Sequence, residues 1–266
     1  MKLDRNMLRV FANLFAIIAS FTINVVANLN PIGGLTIGEI STNLFKDVLI
    51  TPANYAFAIW GLIYLGLFSF AIYQALPSQR ENLLLHRIGY LLVVSSAAQI
   101  IWVFCFLSRF FLLSLVAMLA ILLPLIMVYL RLGIGKKRIS GQDKWFIQIP
   151  LTIYLAWISV ATIVNVAIVL YDLGWNGWGI SPSIWTLIAL LLAGAVAATI
   201  SVVRFDTTFV LVFVWAIVAI AVRHLDKPII SITAGLLAIV LILFLVFSWR
   251  NRPKFLVSAN QANGAN

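Results

Sequence analysis

The sequence predicts an all-α membrane protein of eight transmembrane helices, and three observations carry that expectation. Hydrophobic residues make up 63% and charged residues only 10% of the 266 residues, more apolar surface than a water-soluble domain of this size can bury. The apolar residues fall in runs close to the roughly 20 residues that span the ~30 Å hydrocarbon core of a bilayer. The charges sit almost wholly in the gaps between those runs.

The first run, residues 8–27, follows a basic start (Lys2, Arg5) and has no small-residue cleavage pattern after it, which predicts a retained signal-anchor helix. The connection over 28–52 is long for a helix bundle. Within it Ile37, Ile40, Leu44, Phe45, Val48 and Leu49 recur at helical spacing, while Glu39, Thr42, Asn43, Lys46 and Asp47 fill the other face. That pattern predicts a short amphipathic helix at the membrane interface or over the bundle mouth. Residues 53–76, 88–107 and 110–130 form the next three spans, and Pro124 predicts a kink in the third of these. The fifth span, 145–170, carries a second predicted kink at Pro150.

The sixth span, 184–203, has small residues at four-residue spacing (Gly194 and Ala198, Ala197 and Ser201), which allow helices to approach closely. Packing within the chain is the simpler use of that stripe, a homodimer seam the alternative. The seventh run, 209–222, is the shortest. At ~1.5 Å per residue it reaches only about 21 Å, so it must borrow residues 206–208 and let Arg204 and Arg223 extend toward water. Residues 229–249 complete the spans, and the polar stretch 257–266 reads as disordered. The organisation expected is a five-helix bundle over 1–172, three further helices over 173–250 and a polar cytoplasmic tail over 251–266.

The net charge of +10 is explained by location. Of the 18 lysines and arginines, only Lys46, Arg109, Arg223 and Lys227 fall in loops opposite the N-terminus; the other 14 share its side. The positive-inside rule therefore places both termini in the cytoplasm, in an inner or plasma membrane, with lipid rather than nucleic acid as the surrounding partner. His86 and His224 sit at opposite span ends, so no histidine pair forms a metal site. No catalytic motif occurs, and no acidic residue sits mid-span where a proton relay would need one. No catalytic residue is assigned. The lone Cys105, between Phe104 and Phe106, reads as a small packing residue.

Three segments carry a family pattern. The fifth span has Tyr154, Leu155, Trp157, Ala161, Asn165 and Ile168 in the register P-Y-L-x-W-x-x-x-A-x-x-L-N-x-x-I-x-x-L-N, with Ile153, Val164, Tyr171 and Asp172 as departures. The second span places Pro52, Phe57, Trp60 and Tyr64 on P-x-x-W-x-F-x-x-W-x-x-L-Y-x-x-M-G, with Tyr55 for a tryptophan. The third has Gln99 in the asparagine place, Trp102, and then Phe104 and Phe106, similar to L-N-x-x-W-x-x-x-F-F. Residues 8–172 thus resemble the tryptophan-rich sensory protein family, the TspO, translocator or peripheral benzodiazepine receptor-like proteins. The last three spans lie outside the usual five-helix unit and would make this a long variant.

On a helix Tyr154, Trp157, Ala161 and Asn165 share one face, as do Phe57, Trp60 and Tyr64. Two aromatic rings with polar tips, a small residue and an amide suit a planar or bulky apolar ligand with polar groups at its edge. The resemblance brings in Gln99 and Trp102 as further lining and implies a tetrapyrrole, of porphyrin or haem type, or a sterol-like lipid as occupant. No cofactor is required. It also implies that the 28–52 connection caps the pocket; an interfacial anchor is the plainer alternative. Trp145, Trp175, Trp178, Trp185 and Trp249 lie near span ends and fit the interfacial aromatic belt. Receptor or sensor is the first functional expectation, with a transporter of such molecules or a non-catalytic scaffold as rivals.

Overall fold

The computed structural model describes residues 5–137 and 139–251. The expected tail over 257–266 and the basic residues Lys2, Arg138, Arg252 and Lys254 lie outside the described residues. Each apolar run folds as a helix: α1 Arg5–Leu29, α2 Ile59–Ala75, α3 Leu91–Leu107, α4 Phe111–Leu132, α5 Ile149–Asp172, α6 Pro182–Arg204, α7 Thr207–Arg223 and α8 Pro228–Arg250. Among the described residues six helical stretches are long and apolar enough to cross a membrane; α3 and α7, at 17 residues each, are shorter.

The helix ends follow local chemistry. Ser181 caps α6 by accepting from the Ile184 N–H, and Pro182 occupies its first turn, where a missing N–H costs nothing. Pro228 starts α8 in the same way. Three boundaries differ from the hydropathy reading. The third span breaks at Gly89 (φ 58°), leaving Leu83–Ile88 as a separate short helix capped by Asn82. Pro150 is the second residue of α5 and directly follows a wide turn over Lys144–Gln148; helical backbone runs on through it from Gly141 to Asp172, and the wide turn accommodates the ring and its lost donor. Pro124 stays inside an unbroken α4. In the long connection, helical structure covers a short 3-10 turn at Ile32–Gly34, Ile37–Glu39 and a wide turn Ile40–Leu44; Phe45, Val48, Leu49 and Ile50 continue as buried non-helical chain.

The first five helices form a ring, in the order α1, α3, α4, α5, α2 and back to α1. The α2–α5 contact is close because Gly66 faces Pro150: a Cβ at Gly66 would lie 3.1 Å from the proline Cβ. The remaining helices α6, α7 and α8 pack on one another, and α7 lies along α5. The small-residue stripe of α6 is used within the chain. Gly194 receives Leu237 of α8, Ala197 is fully buried, and the Ser201 and Ser248 hydroxyls meet at 3.0 Å. Among the belt tryptophans, Trp145, Trp178 and Trp249 are exposed, whereas Trp175 and Trp185 are half-buried and pack edge-on against Trp178.

Asp206 joins the two groups of helices. One of its carboxylate oxygens accepts from the Tyr129 hydroxyl of α4 (3.0 Å) and the Thr152 hydroxyl of α5 (3.3 Å). The other accepts from the Phe209 N–H, capping α7 (3.2 Å). Beside this joint Gly135 (φ 75°) lies against the Arg204 carbonyl, where any Cβ would overlap it. Burial pushes the Asp206 carboxyl above its ordinary range, against the pull of its hydrogen bonds. A carboxyl raised in the folded state contributes its stability below the ordinary carboxylate value and loses it as pH climbs through the raised one. The thermal midpoint of the solubilised protein should therefore fall as pH rises across that window. Asp206→Asn, which keeps a capping oxygen, should flatten the slope. Parallel slopes in the two proteins would remove Asp206 as its source.

Candidate functional site

Helices α2 to α5 and the long connection close on one cavity. Its walls are Phe57 in the turn just before α2, Trp60 at the start of α2, Trp102 and Phe106 of α3, Met118 of α4, and Trp157, Val160, Ala161, Val164, Asn165 and Ile168 of α5. Its roof is Ile37, Ser41 and Pro52, so the 28–52 connection is a cap over the cavity.

The α5 wall follows from helix geometry. Trp157, Ala161 and Asn165 step by one turn each, so the indole, the gap above the alanine and the amide stand in a column. Asn165 is buried and satisfied across three helices. Its Oδ1 accepts from the Trp102 indole N–H at 2.9 Å, and its Nδ2 donates to the Ser114 hydroxyl at 3.1 Å. Ser114 in turn donates to the Phe111 carbonyl of its own helix at 2.7 Å. The amide thus fixes the Trp102 ring edge, and Trp102 stacks on Phe106 at 5.1 Å. Trp157 is 3% exposed and meets Phe57 edge-on at 6.0 Å.

Six of the nine expected ligand residues line the cavity: Phe57, Trp60, Trp102, Trp157, Ala161 and Asn165. The other three, Tyr64, Gln99 and Tyr154, do not. They form a buried hydrogen-bond chain behind the Trp60 ring, which stacks on Tyr64 at 5.8 Å and meets Tyr154 at 6.2 Å. In that chain the Tyr154 hydroxyl donates to Gln99 Oε1, Gln99 Nε2 donates to the Tyr64 hydroxyl at 2.7 Å, and Tyr64 donates to the Ser20 carbonyl of α1 at 3.1 Å. The chain holds α5, α3, α2 and α1 in register around the site.

Sequence reasoning missed Ser114 and Met118, single residues in a leucine-rich run, and the polar face of α1. There Arg9, Asn13, Ser20 and Asn24 are all buried, and Asn13 donates to Gln74 Oε1 at 3.2 Å. Their spacing of four, seven and four residues places them on one helix face, which is the signal that was available.

The cavity is small, about 40 Å³. That holds about three waters. A planar ligand of drug size or larger requires roughly 300 Å³ or more. The rings of Phe57, Trp60 and Trp157 line this space, and Phe57 and Trp60 are only half-buried. Among the described residues no cluster of His, Cys, Asp or Glu could hold a metal ion.

The fold and the cavity define a polytopic helical membrane protein with a tryptophan-walled, capped pocket between its helices. Within that class the chain belongs to the TSPO-like protein family, whose family model matches residues 10–247 and so takes in α6 to α8 as well as the five-helix ring. Comparison with curated proteins and with solved structures gives no match.

Proposed function

We propose that this protein is a membrane receptor or sensor for a planar apolar small molecule of the tetrapyrrole class, bound between α2, α3, α4 and α5 beneath the cap. The observation that supports it is the column of Trp157, Ala161 and Asn165 facing Trp60 and Trp102 across a single cavity. The walls supply flat faces for stacking, while the Asn165 amide and the Trp102 indole N–H, bonded to each other, fix the shape of the pocket. Binding requires Phe57 and Trp60 to swing aside. Titrating the purified protein with a panel of porphyrins, following tryptophan fluorescence, should give saturable quenching. A panel without saturable quenching would favour the scaffold reading, which the small cavity, lined by the protein's own rings, supports.

The reading includes eight spans with both termini in the cytoplasm, supported by the placement of 14 of the 18 basic residues on the side of the N-terminus. The cap then lies on the outer face. A reporter active only in the cytoplasm should give signal when fused after residue 266 and when inserted in the 136–138 loop. Signal lost at either place would refute this topology.

A further inference from the structure

We infer that α7 is a latch that holds the cap over the cavity, so that access to the pocket is governed by a helix outside the five-helix ring. The inference rests on the pocket reading above and adds a mode of control to it.

Arg223, the last residue of α7, donates from one guanidinium nitrogen to the Pro52 carbonyl and from the other to the Ser41 carbonyl, both at 3.3 Å. Ser41 and Pro52 are two of the three cap residues over the cavity, 11 positions apart in the chain. One planar fork therefore ties together the two arms of the cap, a task a lysine ammonium performs poorly because its donors diverge from a point. Arg223 has no carboxylate partner among the described residues, so its hydrogen bonding is given to the cap. Two turns of α7 repeat the attachment. The Ala53 N–H donates to the Ala219 carbonyl at 3.1 Å, and the Trp215 indole N–H donates to the Ala56 carbonyl at 3.1 Å. Tyr55 also meets Trp215 edge-on at 5.3 Å.

These attachments follow the backbone of the cap and of the turn leading into α2. Of the half-buried rings that must move for a ligand to enter, Phe57 lies within that turn, Asn54–Ala58, and Trp60 stands directly after it. The far side of the cap is anchored independently, by Phe45 packed edge-on against Phe111 and Tyr171. Release at α7 would let the cap swing on that anchor.

The test reads access without any ligand, so its outcome is separable from that of the porphyrin titration. In the full-length protein with Cys105→Ser, Ala161→Cys places a thiol on the cavity wall. Its rate of modification by a small charged methanethiosulfonate reports opening. Arg223→Met should raise the rate on the order of tenfold, corresponding to about 1.4 kcal/mol. Arg223→Lys should fall between, and Lys227→Met, which removes a nearby positive charge and none of the hydrogen bonds to the cap described above, should leave it unchanged. An unchanged rate in Arg223→Met overturns the latch, whatever the titration shows. Should that variant not fold, Ala53→Cys with Ala219→Cys, at positions whose backbones meet, supplies a reversible lock. Its oxidation should slow amide exchange over residues 37–52 about tenfold, and reductant should restore it; identical exchange in both redox states overturns the proposal.

Discussion

Replacing Asn165 by leucine should lower the thermal unfolding midpoint of the solubilised protein by about 3–10 °C, the shift expected for ~1–3 kcal/mol in a chain of this size. Leucine keeps the branched shape of the amide side chain but is bulkier and apolar, so it removes the hydrogen bonds and adds crowding at a buried position. The substitution orphans the Trp102 indole N–H and removes the donor to the Ser114 hydroxyl, which keeps only its bond to the Phe111 carbonyl, in a site with Asn165 only 2% exposed. Hydrogen bonds between membrane helices are worth ~0.6 kcal/mol on average and up to ~1.7. Two interhelical bonds meet at this one amide, and a buried donor left alone costs more than the mean. Tyr171→Phe, which removes the exposed bond from the Tyr171 hydroxyl to Asp47, serves as the contrast and should stay within ~0.5 kcal/mol of the unmodified protein. Equal midpoints for Asn165→Leu and the unmodified protein would mean that the three-helix amide junction contributes nothing.

The same amide marks how far the sequence could be read. Its place on a face with Trp157 and Ala161 follows from spacing alone, because a span is a helix and a helix fixes azimuth. Spacing does not fix depth. Tyr154 and Tyr64 lie on the predicted faces, yet each sits one turn beyond the cavity, where its hydroxyl joins the Gln99 chain instead of a ligand site. Helix boundaries failed for a related reason. A hydropathy window averages over a whole span and passes over Gly89, where one positive φ ends one helix and lets another begin. Ser114 left no trace because its role depends on a residue of another helix, 51 positions away. Arg223 is a case of correct location and incomplete role. Its position at a span end predicts extension toward water, whereas the fold turns its guanidinium onto the carbonyls of Ser41 and Pro52.

The largest functional effect is expected at Trp157. Trp157→Ala should weaken porphyrin binding by about 5- to 150-fold, the equivalent of ~1–3 kcal/mol for a well-packed aromatic contact. The indole is 3% exposed, forms the cavity wall and braces Phe57, so its loss removes a stacking face and also loosens the ring that must close on the ligand. Truncation also enlarges the cavity, which works in the opposite direction for a bulky ligand and is the reason the range is wide. Trp157→Phe separates the two effects: it keeps a flat face with a smaller volume increase and should retain most of the affinity. Trp249→Ala removes a tryptophan that is 69% exposed at the far end of α8 and should change affinity less than twofold, within ~0.4 kcal/mol. The contrast between Trp157 and Trp249 is what the pocket reading requires. Equal losses at the two positions would point to a general effect on the membrane-embedded protein, and the ligand would then bind somewhere other than beneath the cap.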